Sequence, residues 1–150
     1  MRLILLLLLP LSALATPAQL IVNPISIRLP SPSESDLDKG YVQDHEYKVH
    51  HAVKIEVVEG SPKVPWRLYV KAKNPHFQPS RFRKNATDLA WKHNAEENNA
   101  YRTVSTSKAL VFSGDSGEGR RLKLDLAVRV DWADPSSRYS LPLTFILEEQ

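Results

Sequence analysis

The chain has 150 residues, with 20 lysines and arginines against 17 aspartates and glutamates, a formal net charge of +3 and no cysteine. One domain's worth of chain without a thiol excludes disulfides, thiol catalysis, cysteine metal sites and a cysteine-linked lipid anchor. The near balance of charge gives no pull toward nucleic acid.

Met1-Arg2 is a short basic start, Leu3 to Leu11 is an apolar run, and Ala13-Leu14-Ala15 supplies small residues before Thr16. That order reads as a secretory signal peptide over residues 1–15. The run is shorter than the roughly 20 apolar residues of a membrane span. No later stretch approaches that length, so residues 16–150 are expected to form one exported domain that does not span a membrane. Its expected location is secreted, periplasmic or on the cell surface, and a leader with one basic residue points to a bacterial source. A domain of this size buries roughly two thirds of its unfolded-chain surface, enough for an apolar core without staples.

After the leader the dominant period is two. Leu20, Val22, Ile25, Ile27 and Leu29 form a first strand candidate that changes phase at Asn23-Pro24, where proline implies an edge, bulge or kink. Pro30 to Lys39 reads as a mobile Ser/Pro/acidic loop. Tyr47, Val49, His51, Val53, Ile55 and Val57 alternate, as do Trp66, Leu68, Val70 and Ala72. Leu89 and Trp91 suggest a short strand, although Ala86 to Ala100 also tolerates a short helix. Val104, Thr106, Leu110 and Phe112 suggest another strand. Leu122, Leu124, Leu126, Val128, Val130 and Trp132 alternate with Lys123, Asp125, Arg129 and Asp131 as the wet partners. Tyr139, Leu141, Leu143, Phe145 and Leu147 close the chain. Alternation places one apolar face on a core and one polar face in water, the mark of antiparallel sheets solvated on one side. All five glycines fall between apolar runs, and Asp134-Pro135-Ser136-Ser137 reads as a turn. The expected fold is all-β: an immunoglobulin-like antiparallel β-sandwich of about seven strands. Pro142 has no N–H for a ladder, so the last strand is expected to be paired on one side only in part.

The candidate chemistry is sparse. Asp44, His45, Glu46, His50 and His51 crowd together, but alternation turns His50 and His51 to opposite faces and the spacing fits no zinc pattern. Asp36-Leu37-Asp38-Lys39-Gly40 lacks the third ligand position and closing glutamate of a calcium loop. No serine sits in a nucleophile-elbow setting, so no catalytic residue, metal or cofactor is assigned. Lys71, Lys73, Arg81, Arg83 and Lys84 cluster near Phe77 and Phe82, and are candidates for holding an anionic partner such as a cell-wall glycan. Trp66 and Trp132, in phase with their strands, read as core anchors rather than a sugar-stacking platform; Trp91 stays open between the two roles.

Pro65-Trp66-Arg67-Leu68-Tyr69-Val70-Lys71-Ala72 resembles the Trp-x-Leu strand of WxL-type bacterial cell-surface domains. Tyr139-Ser140-Leu141-Pro142-Leu143-Thr144-Phe145-Ile146-Leu147 is similar to that family's closing strand, with Phe145 where the family has tryptophan. The same closing pattern is shared by bacterial immunoglobulin-like surface domains and pilin-like subunits. The resemblance covers about twenty residues and carries over Trp66, Leu68, Phe145 and Leu147 as fold positions. It implies a non-enzymatic envelope protein. The partners expected are an envelope protein or anionic wall glycan, or a second copy joined by strand addition at Leu20 to Leu29 or Arg138 to Leu147. Adhesion through the basic loop is the alternative. A small secreted hydrolase without a recognisable site is the third reading.

Overall fold

The computed structural model describes residues 15–43, 53–60, 63–97, 100–115 and 119–150. Residues 1–14 of the leader, the Asp44 to His51 cluster, with the first part of the Tyr47 to Val57 strand candidate, and residues 116–118 lie outside the described residues.

Two antiparallel sheets face each other. The larger is built from β1 (Gln19–Asn23), β3 (Val53–Val58), β8 (Arg120–Arg129), β5 (Leu89–His93) and β6 (Arg102–Thr103), in that spatial order. A short β2 (Tyr41–Gln43) pairs with the remaining length of β8, Gln43 opposite Ala127. The smaller sheet runs β7 (Ala109–Gly114), β4 (Trp66–Ala72), β9 (Leu143–Glu149). The fold is thus an all-β two-sheet sandwich.

Alternation explains the core. Val53, Ile55 and Val57 from β3, Leu122, Leu124 and Leu126 from β8, and Leu89 and Trp91 from β5 meet Trp66, Leu68, Val70 and Ala72 from β4. Each such aliphatic side chain removed from water contributes roughly 1.5–3 kcal/mol. Leu68 is completely enclosed because β4 is the central strand of its sheet, flanked by Phe112 of β7 and Leu147 of β9. Trp66 and Trp91 are both core residues, 3% and 1% exposed.

Several expectations are corrected. Residues 34–39 form a helix, α1 (Glu34–Lys39), rather than a loop. Ser33 caps it: its side chain accepts the Asp36 N–H while the Asp36 carboxylate accepts the Ser33 N–H, and Gly40 ends it in the left-handed region at φ 82°. A capping box usually closes with Glu or Gln; here the shorter Asp36 serves and is buried by doing so. Ala86 to Ala100 is mixed: a 3-10 turn at Ala86–Asp88, then β5, then a turn. In β7 the register slips between Leu68 and Tyr69, which oppose Phe112 and Leu110. The bulge hands the core position to Val111 and leaves Leu110 in solvent.

Asp125 is not a wet partner of β8. It faces outward but is covered, and Lys92 directly across on β5 meets it at 3.1 Å, the two side chains being 6% and 4% exposed. Trp132 is not a core anchor. Strand β8 ends at Arg129 and the chain turns at Asp131 to Asp134, so alternation no longer aims Trp132 inward and it stands 62% exposed.

Candidate functional site

The two long sides of the sandwich are closed differently. On the β5–β7 side, the His93 Nε2–H donates to the Val111 carbonyl at 2.9 Å, joining the two sheets. The rings of Trp91, His93, Phe112 and Trp66 follow one another at 5.7, 6.3 and 5.9 Å between centroids. Beyond His93, the Glu96 carboxylate accepts the His93 N–H and two hydrogen bonds from the Arg102 guanidinium at 2.7 and 2.8 Å. Those Arg102 bonds, foremost, hold the Glu96 carboxyl at about 2. Tilted and edge-on ring contacts, a side-chain tie and an ion pair thus bridge the sheets on this side, although β7 is itself an edge strand.

The β1–β9 side is open. Each strand is the edge of its sheet, and among the described residues no ladder pair joins them. A hydrogen bond from the Ala18 N–H to Glu149 Oε1 (2.7 Å) tethers them at one end. Gly60 permits the approach, since a β-carbon there would stand 2.7 Å from the Ala18 nitrogen. Core-facing Leu20, Val22 and Ile27 on one lip, and Leu141, Leu143, Phe145 and Leu147 on the other, are only half-buried, although their counterparts in β3 and β4 are enclosed. Pro24 ends β1, and Ile25 beyond it is 99% exposed. Pro142 has no N–H and precedes β9, its carbonyl accepting the Lys73 N–H. The open edge therefore begins cleanly at Leu143.

A sheet edge carries unpaired backbone N–H and C=O groups that template an added strand. Here that edge lies beside half-buried apolar side chains of both edge strands, so an added strand would gain backbone bonds from β9 and cover alternate side chains.

The basic segment behaves differently from expectation. Lys71 lies half-buried on β4, and Lys73, Arg81 and Arg83 are exposed. Arg81 lies over the Phe82 ring at 4.7 Å from its centroid. Arg83 ends a 3-10 turn in the left-handed region at φ 53°. Lys84 is not available to an anionic partner: Phe77 N–H bonds back to the Lys84 carbonyl and draws the segment into the sandwich. Its ammonium is spent on Asp134 at 2.6 Å and Asp88 at 3.7 Å, with the Tyr139 ring beside it. Phe77 and Phe82 both pack edge-on to Tyr139. Burial first, and the Asp134 charge second, raise the Tyr139 phenol above its ordinary value.

The ties of Lys92 to Asp125 and of His93 to Val111 escape a reading by alternation. The first depends on strand register and the second on how the sheets stack, and neither leaves a local motif.

No protein-family model matches the chain, and no curated protein does. Among solved structures it is similar to a chain in a chaperone-usher pilus structure. The two are 14% identical over 83% of this chain and 81% of that one, with a TM-score of 0.46.

Proposed function

We propose that this chain is an exported, non-enzymatic structural module of a bacterial envelope, immunoglobulin-like in kind, that assembles by strand addition at the β1–β9 side. The observation that carries the reading is the difference between the two sides of the sandwich: at β7, also an edge strand, rings and the His93–Val111 hydrogen bond bridge the sheets, whereas the β9 edge runs beside a row of half-buried apolar side chains from β1 and β9. A small domain gains stability by enclosing those side chains, and a partner strand supplies the missing cover. The segment Leu20 to Leu29 of a second copy has the alternating apolar pattern that side takes. In the isolated chain its first part lies on β3 through five register pairs, Gln19 opposite Val58 to Asn23 opposite Lys54. Its remainder, from Pro24 on, makes no ladder pair. This is assembly in the manner of a pilin-like subunit.

The test uses residues 16–150 at rising concentration, read by sedimentation velocity and amide hydrogen exchange. The expected result is concentration-dependent assembly with new protection of the β9 amides that do not pair with β4. Deletion of residues 16–29 abolishes assembly, and Phe145→Lys weakens it while β4 and β8 stay protected. A chain that remains monomeric throughout, with β9 exchange unchanged, overturns the proposal.

A further inference from the structure

Trp132 is exposed, yet it is held in place. The turn that carries it is closed by three hydrogen bonds: Asp131 N–H to Asp134 Oδ2 (3.0 Å), Ala133 N–H to Asp131 Oδ1 (2.8 Å) and Asp134 N–H to the Asp131 carbonyl (3.0 Å). Beneath the turn, Asp134 is pinned to the sandwich by Lys84, whose side chain is 6% exposed. The ring is held from its edge as well, because the indole N–H donates to Asp38 Oδ1 of α1 at 3.2 Å. An apolar surface of this size in water, fixed from below and from its rim, has already lost much of the freedom that a ligand would otherwise have to remove.

We propose that Trp132 is a stacking platform for a neutral sugar ring, with the Asp38 and Asp131 carboxylates accepting hydrogen bonds from its hydroxyls. A pyranose offers a small apolar C–H face, matched in area to an indole, and a rim of donors. Asp38 and Asp131 are exposed, acceptor-only groups, Asp38 bonded to the edge of the ring and Asp131 the residue before it in the turn. A protein partner fits less well. A protein hot spot lies inside an apolar, charge-poor patch, whereas the exposed Ile21, Val58 and Leu110 lie on β1, β3 and β7, Ile25 lies beyond β1, the exposed aromatic opposite the end of β8 is the phenol-bearing Tyr41, and the Trp132 indole N–H is bonded to the Asp38 carboxylate. An anionic polymer is disfavoured by the Asp38 and Asp131 carboxylates.

The chain reports on itself. Of its three tryptophans, two are enclosed, so acrylamide quenching of the accessible fluorescence reads Trp132. The probes are cellohexaose and chitohexaose as neutral chains and hexagalacturonate as the anionic control. The expected result is protection of Trp132 by at least one neutral chain and none by hexagalacturonate. By calorimetry, Trp132→Ala lowers affinity for that chain about three- to tenfold, the scale of one lost aromatic contact. Asp38→Ala, which keeps the ring but frees its edge, weakens binding less. No protection by either neutral chain overturns the proposal, as does equal protection by hexagalacturonate. A Trp132→Ala variant that changes sedimentation and leaves sugar binding intact overturns it in favour of a protein contact.

Discussion

Lys84 Nζ and Asp134 Oδ2 stand 2.6 Å apart beneath the turn that presents Trp132. The lysine side chain is almost fully enclosed, while the aspartate is about one quarter exposed at 27%. The pair joins the basic segment after β4 to the turn after β8, two stretches fifty residues apart in sequence. Lys84→Met removes the cation and leaves Asp134 facing Asp88 and the Tyr139 ring. Breaking a fully buried pair costs about 3–5 kcal/mol; water around Asp134 reduces this to about 1–3 kcal/mol. Urea unfolding measures the loss, and Trp132 quenching should become steeper in the same variant as its turn loosens.

Lys92 and Asp125 are both enclosed, so they should respond more strongly. Lys92→Met strands a buried carboxylate and is expected to cost about 3–5 kcal/mol. Lys92→Met with Asp125→Leu removes both charges together and should recover most of that loss, since an apolar pair of similar size no longer needs a counterion. Equilibrium unfolding of the two single variants and the double variant checks this. A double variant as unstable as the sum of the singles contradicts it.

The Glu96 carboxyl, ordinarily near 4.5, is held at about 2 by Arg102. A carboxyl whose value is depressed by folding stabilises the fold above its unfolded value, and the gain is lost as the pH falls through the window from about 4.5 to about 2. The pair is partly in solvent, so screening limits the effect to about 0.5–1 kcal/mol. Urea midpoints at pH 7, 4 and 2.5 should fall more for the natural chain than for Arg102→Ala, which lacks the partner throughout. The β5 end, capped through the His93 N–H, should lose amide protection first.

Gly114 ends β7 against the Trp66 ring, and a β-carbon there would collide with the indole. Trp66 is packed in the core and has little room to yield. Gly114→Ala is therefore expected to destabilise by about 1–3 kcal/mol, the range for overpacking. Near-ultraviolet circular dichroism should show the altered setting of Trp66, and Gly119→Ala, where a β-carbon stands 3.1 Å from the Val57 carbonyl, should cost less.

Much of the fold was legible because period-two alternation is a local property. Val53, Ile55 and Val57, Trp66, Leu68, Val70 and Ala72, and Leu122, Leu124 and Leu126 face inward as their spacing indicates. Pro24 and Pro142, read as a kink and an edge position within longer strands, instead follow the end of β1 and precede β9, because a residue without an N–H cannot continue a ladder. Residues departed from alternation where a strand stopped or slipped. Trp132 kept the phase of β8 beyond its end at Arg129, and Leu110 lost its core place to a one-residue bulge at Val111. The capping box at Ser33 was visible in principle, since Ser-x-x-acid is its signature, but proline and serine on its N-terminal side gave the stretch the look of a loop.

Taken alone, the order of residues decided that the fold is built on strands, which face of the central ones is apolar and that no disulfide contributes, because side-chain direction and thiol content follow from the covalent chain. The tertiary structure decided which charges are enclosed, how each side of the sandwich is bridged and which tryptophan meets water. Those depend on strand register, on stacking between sheets and on where a strand ends in space, and so on contacts between residues far apart in sequence.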